Sequence, residues 1–168
     1  MPYVIVNAIS MQHSYLQLKH NEYMNEIAAI SKRMEECQIP HVLLKGVGLA
    51  NTLYYRRQEI FRDYNDIDFL VEKSNVKKVD EILQNANYIQ GEVNKNQQIV
   101  KADRKTTIYY SLNSHQEQGY VKFSKYAIYS PYNRIYFDVN TTIFEGGKMA
   151  IPISTAELLQ HTKKERIF

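Results

Sequence analysis

Asp66 and Asp68 lie two positions apart in the run Asp66-Ile67-Asp68-Phe69-Leu70-Val71, where acids alternate with hydrophobes. A period of two is the signature of a strand, so both carboxylates leave the same face, roughly 6–7 Å apart at the backbone. Carboxylates that close repel and raise each other's pKa unless a cation lies between them. Mg²⁺ suits such a pair, because it binds through a few carboxylate oxygens and keeps waters and substrate phosphates as its other ligands. Asp63 is near in sequence, but Tyr64 and Asn65 place it in the preceding turn. The segment Arg134-Ile135-Tyr136-Phe137-Asp138-Val139-Asn140 offers a third acid, Asp138, with hydrophobes on both sides. An acid so embedded is costly to bury unless it is paired or metal-bound.

A second candidate component is the turn Lys45-Gly46-Val47-Gly48. Glycine permits a phosphate to approach the backbone closely, and a helix N-terminus supplies free N–H groups with a partial positive charge. Lys45 or Arg62 could add charge to phosphate oxygens. Alone, each component has a plainer reading: a structural turn for Lys-Gly-x-Gly, a solvated edge strand for Asp-x-Asp. The combination carries more weight. A glycine turn, a helix, an Asp-x-Asp strand about twenty residues on and a distant acid on another strand form an ordered set.

The elements that must position these groups follow from periodicity. Residues 11–37 predict a helix, with Leu16, Tyr23, Ile27, Ile30 and Met34 at helical steps, ended by Gln38-Ile39-Pro40. His41 to Leu44 predicts a short buried strand and Leu49 to Arg57 a helix, so the turn joins a strand to a helix. After the Asp66 strand, Ser74 is a candidate N-cap for a helix over 75–86 with Val76, Val79, Ile82 and Leu83 inward. The polar stretch 90–98 reads as a loop, and 98–102, 106–112, 120–129 and 134–143 as strands. Ser154 caps a last helix running toward Phe168. With no repeat, low-complexity tract or linker, residues 1–168 read as one α+β domain with a mixed sheet flanked by helices.

Composition is compatible with that. A hydrophobic fraction of 44% supplies a core, and the net charge of +3 is well short of a dense basic stripe. Cys37 is the single cysteine, which excludes an internal disulfide and suits a reducing compartment. The N-terminal apolar run lacks the basic region and cleavage site of a signal peptide, and no apolar stretch approaches the roughly 18 residues that span a bilayer. A cytoplasmic location is the expectation. The five histidines are scattered, with no zinc-site spacing.

The run from Val42 through Lys45-Gly46-Val47-Gly48-Leu49-Ala50, then Leu53-Tyr54, then Arg62-Asp63-Tyr64-Asn65-Asp66-Ile67-Asp68-Phe69-Leu70-Val71, resembles the uncharacterised nucleotidyltransferase-like family of the DNA polymerase beta superfamily. The likeness is dense over about residues 40–90 and returns weakly at Ile153 to His161. It implies a nucleotidyltransferase-like fold, with 154–168 the start of a C-terminal helical part. Asp66, Asp68 and Asp138 would be both metal ligands and catalytic residues. Lys45, Gly46, Val47, Gly48 and Arg62 would bind the nucleotide. The implied reaction uses Mg²⁺ (or Mn²⁺), two ions roughly 3.5–4 Å apart. A nucleoside monophosphate moves from an NTP, ATP first among them, to an unidentified acceptor hydroxyl or amine on a small molecule, protein or RNA, and pyrophosphate leaves. Two departures bear on this. Val47 stands where the superfamily has a second Gly or Ser, and relatives continue into further helices, which leaves room for self-association to complete a pocket.

Two other readings compete. A catalytically degenerate member would keep the fold and bind a nucleotide or partner without turnover. An RNA-binding module would use Tyr54, Tyr55, Arg56, Arg57 and the later tyrosines for stacking and phosphate contact. Those rings serve equally as amphipathic covers of sheet edges and helix interfaces.

Overall fold

The computed structural model describes residues 3–49, 63–126, 134–143 and 153–162. Its first element, α1 (Tyr3–Glu36), begins eight residues before the predicted start at 11. No glycine or proline interrupts Tyr3 to Glu36, so the β-branched residues at its beginning continue the helix, and Ile5, Val6 and Ile9 are exposed there. Tyr23, Ile27, Ile30 and Met34, four and three residues apart, form the stripe that α1 buries. The helix stops four residues before Pro40, and β1 (His41–Leu44) has the predicted bounds.

α2 (Lys45–Leu49) starts directly at the end of β1, with Lys45 in the left-handed region at φ 51°. The rest of the helix predicted to Arg57 lies outside the described residues, as does Arg62. β2 (Asp66–Val71) matches the prediction. A 3-10 turn, Lys73–Asn75, then leads into α3 (Val76–Asn85), which buries Val79, Ile82 and Leu83. Ser74 is therefore not the N-cap: its hydroxyl donates to Glu72 at 3.3 Å, and Asn75 occupies the cap without a side-chain bond.

Two predictions fail in the middle of the chain. The supposed loop 90–98 contains β3 (Ile89–Val93), paired with β4 (Ile99–Lys101), and only residues 94–98 remain as the turn. Gly91 makes the polar strand possible, because a Cβ there would lie 2.0 Å from the Val100 carbonyl oxygen. The supposed strand 106–112 is α4 (Arg104–Asn113). Asp103 caps it, accepting from the Thr106 amide at 2.7 Å, and the Thr107 hydroxyl donates back to Asp103 O at 3.1 Å. These local bonds satisfy a helix start in a segment whose Thr, Ile and Tyr favour strands, and no residue of α4 is buried.

β5 (Tyr120–Phe123) and β6 (Arg134–Asn140) are shorter than predicted, and residues 127–129 lie outside the described set. α5 (Thr155–Gln160) opens with the expected Ser154 cap, a full capping box with Glu157, and ends well before Phe168. Residues 163–168 are outside the described set.

The six strands among the described residues form one mixed sheet in the order β1-β2-β6-β5-β3-β4. Only β2 and β6 run parallel; every other neighbouring pair is antiparallel. Alternation sends Ile67, Phe69 and Val71 from β2, and Ile135, Phe137 and Val139 from β6, into the core shared with α1 and α3. Phe69 and Phe137 stack with centroids 5.0 Å apart, and Tyr88 meets Phe137 edge-on. Polar ties pin α1 to the sheet's other half: Glu22 accepts from the Ser124 hydroxyl and the Lys125 amide, and Glu26 from Lys122 and Tyr88. The architecture is thus α+β, with helices against a mixed sheet. No described helix is long and apolar enough to cross a membrane.

Candidate active site

What the core face takes from β2 and β6, the opposite face must lack. Asp66 and Asp68 alternate with the buried Ile67 and Phe69, and Asp138 with Phe137 and Val139, so all three acids leave the non-core face. The parallel register sets Asp68 directly beside Asp138 and Asp66 beside Tyr136. One carboxylate oxygen from each of Asp66, Asp68 and Asp138 lies within 4.8 Å of the others. Asp63 stands apart: it pairs with Lys19 at 2.6 Å in the run leading into β2, as the intervening residues predicted.

Asp68 is the innermost of the three, only 1% exposed. Its Oδ1 accepts from the Lys45 ammonium at 2.7 Å and from Asn140 Nδ2 at 3.3 Å. Its Oδ2 is buried with no hydrogen-bond partner. A buried carboxylate oxygen left in that state is costly, and a cation is the partner that would relieve it. Three carboxylates, with no cysteine or histidine in the cluster, are hard oxygen donors of the kind that hold Mg²⁺ or Mn²⁺. The residues present therefore fit a divalent cation.

The electrostatics agree. Burial, then the Asp68 and Asp66 charges, push the Asp138 carboxyl up to about 6 against the opposing pull of Lys45. Burial and Asp68 likewise raise Asp66, while Lys45 and Lys19 pull it down. The bond to Asp68 holds the Lys45 ammonium above its ordinary value. Asp66 and Asp138 thus hold their protons more tightly than free carboxyls do, and a positive charge joining them would relieve this.

The turn after β1 sits beside this cluster because the antiparallel register pairs Leu44 with Asp68. Gly46 packs against Tyr64, where a Cβ would come within 3.2 Å of the Tyr64 Cβ, and at Gly48 one would come within 3.0 Å of Leu43 O. Both glycines therefore have a packing reason to be small. Val47 is 1% exposed and belongs to the core, so only its backbone is available to a phosphate, and a hydroxyl at this position would point inward. Arg62, Tyr54, Tyr55, Arg56 and Arg57 lie outside the described residues.

Two residues of the site escaped the sequence reading. Asn140 follows Asp138 by two on β6, so the same period-two rule that groups Asp66 with Asp68 would have found it; it bonds both Asp68 and the Phe69 carbonyl. Gly119 lies on the approach to β5, and a Cβ there would come within 3.1 Å of Asp138 Oδ1. No local pattern marks it, because the contact is made across strands.

Over residues 1–165 the chain matches a family described as uncharacterised nucleotidyltransferase. No curated protein and no solved structure matches it. The family match spans the turn, both acid-bearing strands and the capped last helix, and the chain belongs to this nucleotidyltransferase family.

Proposed function

We propose that the protein transfers a nucleoside monophosphate from an NTP, ATP first among them, to a hydroxyl or amine acceptor and releases pyrophosphate, with Asp66, Asp68 and Asp138 holding Mg²⁺ or Mn²⁺. The observation that carries this is the meeting of the three aspartates, the last seventy residues from its mates, on one face of the sheet. Bound divalent cations would neutralise charge on the triphosphate and make the acceptor hydroxyl a better nucleophile.

The chain's own groups divide the remaining work. Asp66 and Asp68 fix the cation side of the site, with Asn140 orienting Asp68 through its Oδ1. Asp138, set beside Asp68 by the parallel register, would share the cation and help orient or deprotonate the acceptor as it attacks the α-phosphate. Lys45, whose side chain is 57% exposed, can swing to the phosphates, and the backbone of Lys45 to Gly48 with Arg62 completes their binding. Catalysis of this kind rests on positioning and charge, so few groups suffice.

The test is pyrophosphate release from each NTP with Mg²⁺ and a panel of small-molecule, protein and RNA acceptors. Wild type should release it, and Asp66→Asn should lose activity by about 100-fold or more. Nucleotide binding without release in wild type would sink the enzymatic reading and leave a binding protein of the same fold.

A further inference from the structure

Lys45 is a residue that its backbone does not favour. Its φ of 51° is the left-handed region, where glycine is the comfortable occupant and a lysine carries a steric cost. The side chain leaving that turn ends 2.7 Å from Asp68 Oδ1. The two partners differ sharply in access: the Lys45 side chain is 57% exposed and that of Asp68 1%. One oxygen of Asp68 is thus held by an exposed ammonium and by Asn140, while the other is buried and unpartnered. The same ammonium lies close enough to act on Asp66 and Asp138.

We infer that the Lys45 ammonium is a resident counter-ion, which holds Asp68 in the cation-free protein and gives it up when a divalent cation arrives. The inference rests on the carboxylate cluster being a cation site. Lysine and cation then compete for one carboxylate, because an ammonium and a dication repel each other across so small a cluster, so each is held less tightly when the other is present. Competition has a consequence for substrate. A triphosphate that draws Lys45 away from Asp68 removes the competitor, so nucleotide and cation each strengthen the other's binding, by the same factor. Lys45 is in this sense a positioning residue for Asp68 that becomes a phosphate ligand.

The experiment is titration of Mn²⁺ into EDTA-stripped wild type and Lys45→Met, without nucleotide, followed by calorimetry and by the Mn²⁺ paramagnetic resonance signal. The variant should bind Mn²⁺ about tenfold more tightly than wild type. Equal or weaker binding by the variant, with wild type binding normally, overturns the competition and leaves the cation site standing. Absence of Mn²⁺ binding in both proteins overturns the cation site and the inference with it. Binding measurable only in the variant supports the inference. Should Lys45→Met fail to fold without metal, Lys45→Gln, which keeps a donor but no charge, is measured with the same criteria.

Discussion

Asp138 shows how one side chain can cost stability and still serve a site. A carboxyl whose folded value lies above its unfolded one holds its proton more tightly in the fold. Its contribution is favourable below the ordinary 3.8 and is lost as pH rises through about 6. In EDTA, Asp138→Asn should therefore melt higher than wild type at pH 8, by roughly 1–2 kcal/mol of stability after solvent screening, and equal it at pH 4. A melting difference independent of pH would show that the carboxylate is not under strain. Gly119 tests the same group from behind. Gly119→Ala would press a methyl against Asp138 Oδ1 and turn the carboxylate, so Mn²⁺ affinity should fall by about 10–100-fold, as for other groups that orient a metal ligand. Far-ultraviolet circular dichroism should stay unchanged. The acids themselves were legible because their alternation with core residues fixes which way they point. Gly119 was not, since nothing in its neighbours reveals a partner nineteen positions on.

At the scale of elements, legibility followed how much of each segment's structure is decided locally. β2 was read to its bounds because its acids alternate with buried hydrophobes; β1 was bounded by Pro40 and the Lys45-Gly46 turn, although its residues are half-buried rather than buried as expected. The Ser154 cap was read from the residue type alone, while Glu157, which completes the box three residues on, was not singled out. α4 was misread because Thr106, Thr107, Ile108, Tyr109 and Tyr110 have strand propensity, and propensity yields to a capping bond when no face is buried. β3 was misread because its short alternation has glycine at the centre and its two apolar residues, Ile89 and Val93, are not buried. The α4 account makes its own prediction. If Asp103 rather than packing decides the helix, Asp103→Ala should speed amide hydrogen exchange over residues 104–113 several-fold while the melting of the sheet stays put. A variant that melts the sheet would mean that α4 is held by tertiary contact instead.

On the scale of the whole molecule, the acids belong to segments with no local connection: β2 leaves α2's neighbourhood, the chain builds α3, β3, β4, α4 and β5, and β6 returns to lie parallel to β2. The pairing is driven from the core side, where Phe69 stacks on Phe137 and Ile67 and Val139 complete the layer, so the carboxylates are brought together by hydrophobes on the opposite face of the sheet. The sequence could show that each strand had one acidic and one apolar face; it could not show that these two strands are neighbours, which only their buried faces determine. A cation on the cluster would then bridge the early and late parts of the chain and bind the folded state alone. Mass action gives the size: about 2.7 kcal/mol of added stability at a hundred times the dissociation constant. Wild type should accordingly melt several degrees higher in excess Mn²⁺ than in EDTA, and Asp66→Asn, which leaves the core side intact, should lose most of that difference while melting no lower than wild type in EDTA. If Mn²⁺ raises the variant as much as wild type, the ion is binding elsewhere, and the three aspartates are neighbours without a common ligand.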